Sequence, residues 1–213
     1  MKTVVVYVLP QVNAVKIYEP LARRFAQSYV QNPPGIEPHE VWVISNGAPI
    51  QERQKRLFDP VPCQWMEHNN VGRDIGGFQM AAEKIACDLL ICFGSHVHFW
   101  RPGWLDRIVE AFLANGPALY GPWGFHQPTD HIRTTAWWVP PDVLKAYPAW
   151  IGNGQRYTFE HGANDSITAW CRKTGFPTLQ VTWSEVLDHQ HWKHVDRGDV
   201  LLLDQFTDRM AWQ

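Results

Sequence analysis

Four segments of the 213-residue sequence carry side chains able to do chemistry. In NVGRDIGG, Asn70, Gly72, Arg73, Asp74, Gly76 and Gly77 precede a helical pattern. Glycines let backbone approach a ligand, an arginine grips phosphate or aspartate, and an aspartate accepts hydrogen bonds from ribose or a base. The same spacing also describes a tight turn in which Asp74 caps the helix and pairs with Arg73. In GSHVHFW, His96 and His98 flank one residue, so in extended backbone both imidazoles point to one side, as two ligands of one metal would. The plainer alternative is two surface or hydrogen-bonded histidines. FEHGANDSITAW sets Glu160, His161, Asn164 and Asp165 ahead of another helix, where Asp165 is either a cap or a carboxylate general base. DHQHWKHVDRG gathers His189, His191 and His194 in a stretch with little hydrophobic pattern, read as a loop that can reach back with a third metal ligand.

The elements that must position these residues follow from the hydrophobic pattern. Strand-like runs at Thr3 to Leu9, Val41 to Ser45, Cys63 to Glu67 and Asp88 to Phe93 alternate with helical spacing over Val15 to Val30 and Ile75 to Ala86. That alternation predicts an α/β fold with an open, mostly parallel twisted sheet and helices on both faces. Pro102 and Gly103 open a further helix through Leu113, strands follow at Ala118 to Gly121 and Thr135 to Val139, and a helix over Ala163 to Lys173 leads to a last strand at Thr178 to Trp183. In such a sheet the ligand site lies beyond the carboxyl ends of the strands. The turn after the first strand, Leu9 to Ala14, holds no glycine, which excludes a dinucleotide or P-loop phosphate site there.

Composition narrows the class further. The length suits one domain, read over 1–213, with halves at about 1–100 and 101–195 and a tail over 196–213. Nineteen basic against 21 acidic residues give a net charge of −2, with no global field for nucleic acid. No apolar run reaches the length of a transmembrane span, and Cys63, Cys87, Cys92 and Cys171 form no CxxC pair, as expected of reduced thiols in a cytoplasmic protein. Twelve tryptophans exceed what a core of this size requires, and rings such as Trp123 and Trp138 near strand ends either stack on sugar faces or pack.

Taken in order, HNNVGRDIGGFQMA, DLLICFGSHVHFWRPGWLDRIVEAF, TTAWWVPPDVLKAYP and NDSITAWCRKTGF resemble the motifs of GT-A-fold glycosyltransferases, especially small bacterial polysaccharide enzymes of the rhamnan-synthesis type. The resemblance spans about residues 3 to 195. It implies that Asn70, Gly72, Arg73, Asp74, Ser95 and His96 bind a nucleotide-sugar donor, with a UDP-sugar favoured. His96 and His98 stand where the family has a DxD motif, so a divalent metal, Mn²⁺ first with Zn²⁺ or Co²⁺ as substitutes, would be held by His96, His98, His191 and His194. Asp165 matches the inverting base, Glu160 is its reserve, and Trp123 and Trp138 fall on the side of a carbohydrate acceptor. The implied reaction is displacement at the anomeric carbon, with metal and Arg73 stabilising the leaving diphosphate. Two other classes stay open: a non-catalytic nucleotide or sugar binder whose DxD has become HxH, and a zinc metallohydrolase built on the same histidines.

Overall fold

The computed structural model describes residues 1–210. Ten strands follow one another as β1 Thr3–Pro10, β2 His39–Asn46, β3 Cys63–His68, β4 Leu89–Phe93, β5 Leu119–Gly121, β6 Gly124–Phe125, β7 His131–Ile132, β8 Ala136–Val139, β9 Thr178–Val181 and β10 Val186–Asp188. The α-helices are α1 Glu19–Gln31, α2 Glu52–Lys55, α3 Arg73–Lys84, α4 Trp104–Asn115, α5 Pro141–Ala146, α6 Arg156–His161, α7 Ile167–Lys173 and α8 Gln205–Met210.

Eight strands form one sheet in the order β10-β9-β5-β8-β4-β1-β2-β3, and β6 pairs with β7 beside it. The run VVVYVL makes β1 apolar toward both faces, as a central parallel strand requires. It lies parallel to β2 on one side and β4 on the other, with Tyr7 opposite Val43 and Phe93. β3 continues the parallel half beyond β2. β8 then inserts antiparallel between β4 and β5, while β9 runs parallel to β5 and β10 antiparallel to β9.

Alternate residues of β1 feed two cores. Val5, Tyr7 and Leu9 pack with Phe25 of α1 and with Trp104 and Ile108 of α4. Val4, Val6 and Val8 pack with Ile75 and Phe78 of α3, Val143 of α5 and Ile167 of α7. Helices therefore cover both faces, as the alternation predicts.

Three expectations change in detail. The first helix begins as a π-helical turn, Ala14–Tyr18, and becomes α-helical at Glu19, where Pro20 sits in the first turn. The expected helix over Ala163 to Lys173 starts only at Ile167, because Ser166 rather than Asp165 caps it, its Oγ accepting from Ala169 N at 3.1 Å. Of the expected tail over 196–213, Val200, Leu201, Leu202 and Leu203 are buried, with Val200 bridging to Thr182 and Leu203 to His98, and residues 211–213 lie outside the described residues. The four cysteines are all free thiols.

Candidate functional site

β1, β2 and β3 are paired in register to their last residues, so Pro10, Asn46 and His68 share one edge of the sheet. Gly94 and Ser95 leave β4 at the same edge. A cavity of about 350 Å³ opens there, lined among others by Asn46, Asn70, Arg73, Asp74, Ser95, His96, Arg156 and Gln205. The strand ends thus bring together Asn70, Arg73, Asp74, Ser95 and His96 from two separate motifs.

The loop before α3 is held from below and shaped by glycine. Asn46 Nδ2 donates to Asn70 Oδ1 at 2.8 Å, and His68 Nδ1 lies 2.8 Å from Asn46 Oδ1. Asn70, Gly72 and Arg73 adopt positive φ of 67°, 77° and 56°. At Gly72 a Cβ would stand 2.1 Å from the Ile151 carbonyl oxygen, and its N–H donates to Asn153 Oδ1 at 2.8 Å. The glycine lets two distant loops touch. Arg73 is exposed at the N-terminus of α3, and among the described residues its guanidinium has no hydrogen-bond or ion-pair partner.

The expected alternative pairing of Arg73 with Asp74 does not form. Asp74 is gripped instead by Arg156, whose Nε reaches Oδ1 at 3.2 Å and Nη2 reaches Oδ2 at 3.1 Å. The same guanidinium uses Nη1 to hold Glu160 Oε2, which also accepts from Thr134 Oγ1 at 2.6 Å. Burial pushes the Glu160 carboxyl up, but the Arg156 charge and these hydrogen bonds outweigh it and keep it below the usual carboxylate range. Arg156 escaped the sequence reading. Its signal was the i,i+4 spacing of Arg156 and Glu160, which suits an ion pair on a short helix.

Several other expected site residues lie elsewhere. His96 sits in a turn, not in extended backbone, and His98 is buried on the far side of it. His98 Nε2 accepts from Arg24 Nη2 at 2.6 Å, so the two imidazoles do not share a metal. His191 is exposed, its Nδ1 2.7 Å from Asp188 Oδ1, and His194 is exposed on the following loop. Asp165 is exposed and lines a second cavity of about 330 Å³ with Tyr147, Asn164 and Trp170. The two cavities share no lining residue. Trp138 is fully buried and stacks on Tyr120 at 5.9 Å, and Trp123 is also buried, so neither ring offers a face to an acceptor.

A metal held as the resemblance implies does not fit this cavity. Its one carboxylate, Asp74, is taken by Arg156 on both oxygens, and His98 is turned away. Among the described residues, the groups able to hold a metal ion are His126, Asp130 and His189, and His131, Glu160 and His161. Neither includes His96, His98, His191 or His194, which also removes the basis for a metallohydrolase on those histidines.

The sequence matches no protein-family profile and no curated protein. Solved structures do match. A mannosyltransferase from Pyrobaculum calidifontis, solved with GDP-Man and Mn²⁺, aligns at a TM-score of 0.58 and 12% identity over 83% of this chain and 54% of its own. A protein from Desulfovibrio desulfuricans assigned as a nucleotide-diphospho-sugar transferase gives 0.53 at 13% identity, covering 84% of this chain and 79% of that one. One from Bacillus anthracis assigned as a glucose-1-phosphate thymidylyltransferase, bound to a sucrose, gives 0.55 at 10% identity over 82% and 84%. These likenesses define a GT-A-like fold. The chain spans about half the length of the mannosyltransferase it matches. No helix among the described residues is long and apolar enough to cross a membrane.

Proposed function

We propose that this protein binds a nucleotide-diphospho-sugar in the cavity at the strand ends and transfers the sugar to a hydroxyl acceptor. The observation that carries this reading is the unpartnered Arg73 at the N-terminus of α3, facing that cavity in a GT-A-like fold. A cation at a helix N-terminus forms an anion site suited to a diphosphate. Asp74, fixed by Arg156, is oriented to accept hydrogen bonds from ribose or sugar hydroxyls, and Asn70, Ser95 and His96 supply further polar contacts around the donor.

The acceptor oxygen attacks the anomeric carbon, the bond from that carbon to the diphosphate breaks, and the diphosphate leaves with the electron pair. Arg73 stabilises the charge that grows on it. The acceptor proton passes to Asp165, the base in this proposal and the residue that lines the neighbouring cavity beside Tyr147 and Trp170. Aromatic faces in that cavity suit a sugar ring. Transfer then requires the acceptor hydroxyl to reach the donor although the two cavities share no lining residue.

That separation favours one second reading, a nucleotide-sugar binder without turnover. Calorimetry with UDP-sugars first and GDP-mannose next, with and without Mn²⁺, followed by product analysis, distinguishes the two. Arg73→Ala should weaken diphosphate-sugar binding about 10- to 100-fold, in line with loss of charge-assisted hydrogen bonds, and leave the melting temperature unchanged because the side chain is exposed. Unaltered affinity in that variant would remove the donor site from this cavity. Turnover abolished in Asp165→Asn supports the transferase; binding without turnover on every donor and acceptor leaves the binder.

A further inference from the structure

Next to the donor cavity, on the other side of Arg156, His131 of β7 meets Glu160 and His161 at the end of α6. One ring nitrogen from each histidine and a Glu160 carboxylate oxygen lie within 4.8 Å of one another. We propose that these three side chains form a binding site for a divalent transition metal of the zinc class.

Existing hydrogen bonds leave particular atoms of the three side chains available to an ion. His131 Nδ1 lies 2.7 Å from the Thr129 carbonyl oxygen, which can only accept, so Nδ1 carries the proton and Nε2 keeps its lone pair. A backbone carbonyl fixing the remote nitrogen is the usual outer support of a metal-bound imidazole. Glu160 Oε2 is used by Thr134 and Arg156, which leaves Oε1 on the side of the histidines. His161 Nε2 stands 3.7 Å from that oxygen. This is too long for a hydrogen bond and a few tenths of an ångström above the roughly 3.3–3.4 Å that separates two ligands at ~2.0–2.1 Å from one tetrahedral ion.

Charge also favours a cation. Arg156 faces two carboxylates, Asp74 and Glu160, so the group retains one negative charge. Two imidazoles and one carboxylate suit Zn²⁺ or Co²⁺ better than Mg²⁺.

The other cluster contrasts with this one. Asp130 lies 2.8 Å from His126 Nδ1, 2.6 Å from His189 Nε2 and 2.9 Å from Arg172 Nη1. Its polar atoms already satisfy each other at hydrogen-bond distance, and the arginine occupies the place a cation would take. In the His131 cluster, by contrast, His161 Nε2 and Glu160 Oε1 stand 3.7 Å apart, beyond hydrogen-bond distance, and through Arg156 and Asp74 an ion there would stiffen the wall of the donor cavity.

Metal-free protein titrated with Zn²⁺ against a chromophoric chelator, without nucleotide, tests this independently of any transfer activity. Wild type should take up one equivalent, and Co²⁺ should give visible absorption bands of a four- or five-coordinate ion. His161→Gln, at the rim of the cluster, should weaken uptake at least 100-fold and abolish the cobalt bands, whereas His189→Ala should leave both unchanged. X-ray absorption on the wild-type zinc protein should show two imidazoles and a carboxylate, which requires no variant to fold. No stoichiometric uptake, uptake unchanged in His161→Gln, uptake lost in His189→Ala, or a ligand shell without two imidazoles would overturn the proposal.

Discussion

Arg156 is the most heavily committed side chain near the donor cavity. It binds Asp74 with two nitrogens and Glu160 with a third, and it joins α3 to α6. Removing one partner of a buried ion pair leaves an uncompensated charge, at a cost of about 3–5 kcal/mol. Arg156→Met should therefore lose stability of that order at pH 7, read from the urea midpoint. The pH dependence carries a second signature. Glu160 has a depressed pKa in the fold, so its contribution is present above the unfolded value of about 4.3 and is lost as pH falls through the folded value. In Arg156→Met the buried carboxyl loses the charge that held its pKa down and protonates more readily. The stability gap between variant and wild type should narrow as the solution is acidified from pH 7 toward pH 4. A gap that stays constant with pH would mean that Arg156 acts through packing, and not by holding Glu160 ionised.

At the scale of elements, the start of α3 depends on backbone that only glycine fits. Alanine at position 72 would place Cβ against the Ile151 carbonyl at a φ of 77°, combining left-handed strain of roughly 1–2 kcal/mol with a steric clash. Gly72→Ala should lower the melting temperature by about 5–10 °C, at 2–4 °C per kcal/mol for a domain of this size. It should also weaken donor binding, because Asn70 and Arg73 flank the displaced turn; a stable variant with wild-type donor affinity would show that the contact is dispensable. The NVGRDIGG loop and the parallel strands β1 to β4 were legible in the sequence because glycine spacing and continuous apolar runs are local signals. The placement of β8 between β4 and β5 was not, since it is a long-range pairing. The HxH reading assumed that the strand continued through His96, whereas the chain turns after Gly94 and sends His98 back toward α1. Trp123 and Trp138 show a related limit: proximity to a strand end does not reveal burial, and Trp138 serves the core. Arg156 lies on a six-residue helix, too short to show a periodic pattern.

Across the whole molecule, the segment after 199 ties both halves of the sheet together. Val200 bridges to Thr182 near β9 and Leu203 to His98 beyond β4, and all four residues from Val200 to Leu203 are buried. α8 then returns over the donor cavity, which Gln205 lines. Its anchor is a relay in which Asp208 holds Arg24 through Oδ2 at 2.6 Å, while Arg24 donates to His98 Nε2. A guanidinium only donates, so His98 must be neutral here. Burial first and then the Arg24 charge lower its pKa accordingly. A histidine with a depressed folded pKa contributes stability that is complete above its unfolded value of about 6.5 and is lost as pH falls through the folded value. Protonation removes the acceptor and sets two cations against each other; Asp208 Oδ1, 3.4 Å from His98 Nε2, opposes this, but burial and Arg24 outweigh it, so α8 should release at acidic pH before the sheet unfolds. With the intrinsic slowing of exchange toward low pH taken out, amide protection over residues 205–210 should fall as pH drops below about 6.5, while β1 stays protected. His98→Gln retains an oxygen acceptor for Arg24 and does not titrate. Its α8 protection should be level across the same range, and an identical pH response in variant and wild type would show that another group controls the docking of α8.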